Sequence, residues 1–144
     1  MSGGTTTLGK PVPQGLYLPA VRHGGLIFTA GMTPRKDGVL LFTGPLAANS
    51  DPGLHEDAVV LACGNAVAAA ENLLAEDETI AAILSLTVYV AAETGFIAHS
   101  KLADFASQFL KSRFGAAGIG ARAAVGVATL PGNAPVEVQL IAAV

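Results

Sequence analysis

Two side chains stand out by type and setting. Arg122 opens the run Gly120-Ala121-Arg122-Ala123-Ala124-Val125-Gly126-Val127-Ala128-Thr129-Leu130-Pro131, and Glu137 falls early in the run Pro135 to Ala142. Both runs are apolar and rich in β-branched residues. The turn formers Pro131-Gly132-Asn133-Ala134 separate them, which predicts a β-hairpin. Strand side chains alternate faces, so Arg122, Ala124, Gly126 and Ala128 share one face and Ala123, Val125 and Val127 the other. On its small-residue face Arg122 has no bulky neighbour from its own strand. A guanidinium there is a planar, permanently charged fork that can grip a carboxylate with two hydrogen bonds. A solvated arginine at a strand end is the alternative. Glu137 adds a carboxylate that could handle water.

Other chemistries find less support. His23, His55 and His99 are far apart, and no His-x-x-x-His or Glu-x-x-His spacing sets two ligands on one face, so no metal site is expected. There is no Gly-x-Ser-x-Gly elbow. The single cysteine, Cys63, lies on an apolar stripe, where packing is its expected role, and alone it excludes an intrachain disulfide. Gly9-Lys10 runs into Pro11, so no nucleotide loop is read there.

The elements that must position these groups follow from pattern. Residues 1–15 are Gly/Thr/Pro-rich and predict an irregular lead-in. Tyr17 to Val21 and Leu26 to Gly31 read as a hairpin joined by Arg22-His23-Gly24-Gly25. Pro34 to Gly38 is a turn, Val39 to Phe42 a short edge strand, and Thr43 to Gly53 a loop. Asp51-Pro52 then begins a helix, with an N-cap acceptor ahead of a first-turn proline. From His55 to Ala75, Val59, Cys63, Val67 and Leu74, with Ala66 and Ala70, recur at helical spacing. Glu76-Asp77-Glu78 is a solvated turn. Ile80 to Val90 is nearly uncharged and predicts a central strand buried on both faces, one against helices and one against another subunit. Thr94 caps a second helix and Gly115 stops it. Leu102, Phe105, Phe109 and Leu110 form its apolar stripe, while Lys101, Asp104, Lys111 and Arg113 take much of the other side. The order β-β-α-β-α-β-β predicts an α+β fold, with two helices on one face of a mixed, mostly antiparallel sheet.

Composition bounds the rest. The 144 residues suggest one domain spanning 1–144. Hydrophobic residues make up 51% and charged residues 13%, too few charges to coat a monomer, so self-association is expected. A net charge of −3 without a basic stripe speaks against nucleic-acid binding. The N-terminal stretch has no apolar core of signal length and no run is long enough to span a bilayer, so a reducing cytoplasm is the expected location.

The pattern Ala121-Arg122-x-x-Val125-x-Val127-Ala128-x-Leu130-Pro131, followed by Val136-Glu137-Val138, resembles the signature of the Rid/YjgF family of reactive intermediate deaminases, also labelled endoribonuclease L-PSP. Tyr17, Thr29-Ala30-Gly31 and the element order extend the resemblance over nearly the whole chain. It implies a chorismate-mutase-like fold and a homotrimer with clefts between subunits. It implies hydrolysis of 2-imino or 2-enamino acids to 2-oxo acids and ammonia, without cofactor or metal. Arg122 would hold the substrate carboxylate, Glu137 the attacking water, and Tyr17, Ala30, Gly31, Asp104 and Ala124 would border the substrate. The chain departs from the family pattern at Ala30, where a hydroxyl is usual, at Met32 for Gln, at Ala124 for a frequent Cys, at Gln139 for a second acid, and at Asp104 for Asn. A more apolar pocket follows, and with it a bulkier imino acid or a non-catalytic trimer that binds a small carboxylate. The ribonuclease label finds no support in the charge balance.

Overall fold

The computed structural model describes residues 11–144. The part of the irregular lead-in expected over residues 1–10 lies outside the described residues; residues 11–19 carry no regular element. A hairpin of β1 (Ala20–His23) and β2 (Leu26–Thr29) comes first, so the first strand starts three residues later than expected and Tyr17 sits in the bend before it. The stretch read as a turn forms a small hairpin of its own, β3 (Arg35–Lys36) with β4 (Val39–Leu40). Asp37 and Gly38 both take positive φ between them, the geometry that a two-residue hairpin loop demands.

Asp51 is a cap, but of a short 3-10 turn over Pro52–His55, where its Oδ1 accepts from Gly53 N at 3.2 Å. Helix α1 (Glu56–Glu71) follows and ends four residues short of the expected Ala75. Its buried stripe includes Val59, Cys63, Ala66, Val67 and Ala70. Strand β5 (Ala82–Ala91) leads to α2 (His99–Phe114), whose preceding residue is Ala98, not Thr94, and makes no side-chain cap. Gly115 terminates α2 with φ 67°, as expected of a glycine there. Strands β6 (Ala121–Val127) and β7 (Val136–Ala143) complete the chain.

The main sheet runs β1-β2-β7-β5-β6. Here one expectation fails. The Arg122 and Glu137 strands are not hairpin partners, because β5 lies between them, pairing in parallel with β6 and antiparallel with β7. The local turn signal at Pro131-Gly132-Asn133 is real, since those residues form a tight turn. It joins two strands that each find a better partner in the long, uncharged β5. The connection through α2 returns the chain to run alongside β5, as parallel pairing requires.

Both helices cover one face. Ile83, Leu86, Val88 and Val90 of β5 lie beneath them with Leu102 and Leu110 of α2, Ile27 of β2, and Val136, Val138 and Leu140 of β7. Burying each such side chain contributes about 1.5–3 kcal/mol. The opposite face of β5, expected to meet another subunit, is open in a single chain, where Ser85, Thr87 and Tyr89 are half-buried. Cα register places Val21, Phe28, Ile141, Ser85 and Ala121 in one row across all five strands of this face. Phe28 is 41% exposed and Val21 51%, so this row, apolar apart from Ser85, is uncovered.

Candidate functional site

The predicted site residues fall into two groups, one on each face of the sheet. Register pairs Arg122 with Leu86 and Ala124 with Val88, so both project to the helix-covered face. The small residues of β6 make room for α2: a Cβ on Gly126 would overlap His99 Nε2, the first residue of that helix. With α2 this close, the Arg122 guanidinium lies along its surface. Nη1 donates to Asp104 Oδ1 at 2.7 Å and to Ser107 Oγ at 3.1 Å, and Nη2 donates to Ser100 Oγ at 2.8 Å and to Ser100 O at 3.4 Å. The Arg122 side chain is 23% exposed and its acid partner 55%.

Ser100 and Ser107 were missed at the level of sequence, although a signal exists. With Asp104 they are spaced by four and three residues, which lines up three oxygen-bearing side chains on one face of a helix. Asp104, read as part of a solvated side, is the acid centred on that stripe.

Glu137 belongs to the second group. It pairs with Tyr89 and projects to the open face, yet it is half-buried, and burial pushes its pKa up from the ordinary carboxylate range. Met32 and Val138 exchange backbone hydrogen bonds at 2.7 and 2.8 Å, and this bridge presses the preceding Gly31 against the carboxylate. A Cβ on Gly31 would overlap Oε2 of Glu137, so only glycine leaves the acid in place. Ala30, half-buried, is fixed by its N–H to Pro19 O at 2.8 Å. Tyr17 lines, with Gly31, Arg35 and Asn65, a cavity of about 40 Å³, and its hydroxyl accepts from Gln14 N at 3.0 Å. Among the described residues no cation pairs with Glu137.

The two groups do not meet within one chain. Arg122 and Glu137 are two strands apart and three residues offset along β5, about 14 Å between Cα atoms at ordinary strand spacings, and they face opposite ways. Elsewhere, burial raises the Cys63 thiol to about 12 and removes it as a nucleophile. His55 bonds Ser50 Oγ at 2.6 Å and burial lowers its pKa. Among the described residues no three His, Cys, Asp or Glu side chains gather as a metal site, and no helix is long and apolar enough to cross a membrane.

Residues 7–144 match the family described as endoribonuclease L-PSP. A protein of unknown function from Agrobacterium tumefaciens is 31% identical, with a TM-score of 0.83, covering 95% of this chain and 88% of that one. Protein TCP17 of Trypanosoma cruzi is 30% identical over 90% of this chain and 81% of its own length. The YjgF gene product of E. coli shares the fold at 22% identity, with a TM-score of 0.68, over 99% of this chain and 98% of that one.

Proposed function

The chain belongs to the endoribonuclease L-PSP family, the Rid/YjgF proteins, and from that membership we propose that it is a hydrolytic deaminase of reactive 2-imino acids. The observation that carries the reading is Glu137: a half-buried carboxylate without a cationic partner among the described residues, for which Gly31, itself lining the Tyr17 cavity, leaves room. A carboxylate with a raised pKa is a better proton acceptor than a free one. Water loses a proton to Glu137 as its oxygen bonds to the imine carbon, and the C=N electron pair moves to nitrogen. The nitrogen takes that proton from Glu137, the C–N bond breaks, and ammonia leaves as the hydroxyl gives its own proton back to Glu137 and becomes the carbonyl of a 2-oxo acid. An iminium is already electrophilic, so placement and polar contact supply what the site needs, without a cofactor.

Arg122 supplies the grip on the substrate carboxylate. Ser100 and Ser107 hold it by hydroxyls that a stronger acceptor can displace. Since Arg122 and Glu137 lie on opposite faces, the working cleft forms between subunits, Arg122 of one chain meeting Glu137 of a neighbour in a homotrimer. The uncovered apolar face gives that assembly its driving force. The test is ammonia release from imines generated in situ by an amino-acid oxidase, over small and bulky side chains. The protein should accelerate release and Glu137→Gln should remove the acceleration; no acceleration with any imine sinks the reading.

A second reading, a trimer that binds a small carboxylate without turnover, is favoured by Ala30 and Ala124, where polar side chains usual in the family pattern are missing. Carboxylates would then raise the melting temperature while ammonia release stays at background. The net charge of −3 leaves RNA cleavage the least supported of the three.

A further inference from the structure

The Arg122–Asp104 pair has an asymmetry that bears on which form of a ligand it takes. The guanidinium has both terminal nitrogens engaged by α2, and its side chain is 23% exposed. The Asp104 carboxylate binds Arg122 through Oδ1 and is 55% exposed, so what the pair offers to an incoming ligand includes an anionic group as well as a cation. A 2-oxo acid carries one negative charge and would be repelled by Asp104. A protonated 2-imino acid carries a carboxylate and a cationic nitrogen on neighbouring carbons, and an amino acid has the same two charges. The protein presents their complements side by side.

We infer that Asp104 is a specificity residue: it receives the cationic nitrogen of a zwitterionic ligand whose carboxylate goes to Arg122, and so selects protonated imino acids over 2-oxo acids. This rests on Arg122 being the carboxylate grip, but not on turnover. Two consequences follow for the deaminase reading. Asp104 favours the iminium, the form water attacks most readily, over the neutral imine. Once ammonia has left, the product has lost the charge that Asp104 held, and it departs.

Stable ligands test this apart from catalysis. Calorimetric titration of the assembled protein near neutral pH would compare L-leucine with its 2-oxo acid, 4-methyl-2-oxopentanoate. The expected result is tighter binding of the amino acid by wild type, roughly tenfold for one added charge contact. In Asp104→Asn the preference should invert, because the Asn oxygen can still accept from Arg122 while the charge is gone. Asp104→Glu should keep the wild-type preference. An unchanged ratio in Asp104→Asn, a wild-type preference for the 2-oxo acid, or no binding of the amino acid at millimolar concentration would each overturn the inference. Ammonia release measured on the same proteins separates the two ideas. Acceleration with an unchanged ratio leaves the deaminase standing and removes Asp104 from it. An inverted ratio without acceleration does the reverse.

Discussion

Two arginines in this chain meet a carboxylate, and they are held in different ways. Arg22 grips Glu78 with both terminal nitrogens, at 2.6 and 2.7 Å, and its other donors reach Gly24 O and Leu73 O. Glu78 in turn accepts from Ala75 N at 2.7 Å, and these bonds hold its pKa down at about 2. Besides the carboxylate itself, the partners there are backbone groups, and the contacts tie β1 to the loop after α1. Arg122 touches one oxygen of Asp104 at 2.7 Å and two serine hydroxyls at 2.8 and 3.1 Å, all on the surface of one helix, and its one backbone contact, to Ser100 O, is the longest at 3.4 Å. Backbone carbonyls cannot leave without unfolding a turn, whereas hydroxyls rotate. The first arrangement secures the fold; under the proposed function, the second is the one a ligand carboxylate competes for.

The sharpest way to break this comparison is to remove each arginine. Arg122→Ala should cut ammonia release by about a hundredfold or more, as expected for loss of a charged contact to the reacting molecule, with little change in melting temperature. Arg22→Ala should do the opposite. Equal effects of the two on stability would show that Arg122 is structural as well.

A second cut falls on the acid that Arg122 must be matched with. Gly31→Ala would push a methyl group into Oε2 of Glu137 and should lower turnover by roughly tenfold to a hundredfold through misplacement alone. Wild-type rates would remove Glu137 from the reaction.

The pH dependence separates the two regions more finely. Burial raises the folded pKa of Glu137, so its carboxylate becomes protonated, and turnover should fall, at a pH above that of an ordinary glutamate. For Glu78 the sign is reversed. Its folded pKa is depressed from 4.5 to about 2, so the stability it lends is complete above 4.5 and is lost as pH falls toward 2. The effect is small for a pair this near solvent. Thermal melts from pH 5 down to 2 should show a shallower decline in Glu78→Gln than in wild type, and identical slopes would dismiss the contribution.

Much of the architecture could be read from local pattern, because it rests on local rules. Alternation along Ala121–Val127 put Arg122, Ala124 and Gly126 on one face, where register places them. Helical spacing found the buried stripe of α1 up to Ala70, and Leu102 and Leu110 of α2, whose other buried residues are Ala103 and Ala106 while Phe105 and Phe109 are half-buried; Gly115 marked the end of that helix. Where partners are distant in sequence, the signal disappears. Glu78 looked like one acid in a solvated run because its partner is 56 residues away. Pro131-Gly132-Asn133 looked like a hairpin turn because nothing local reports that β5 will come between the strands it joins. The Ser100-Asp104-Ser107 stripe was visible in the spacing, but its meaning depends on β6 being close enough for Arg122 to reach it, and that is fixed by the absence of side chains at Gly126.

The placement of Arg122 and Glu137 on opposite sides of the sheet has a genetic consequence. If a working centre draws its cation from one polypeptide and its base from the next, two crippled alleles can rescue each other. Arg122→Ala and Glu137→Gln proteins, each inert alone, would regain part of the lost turnover when co-expressed or unfolded and refolded together, since some junctions in the hybrid would unite an intact Arg122 with an intact Glu137. The double variant, Arg122→Ala with Glu137→Gln, mixed with either single variant would recover nothing.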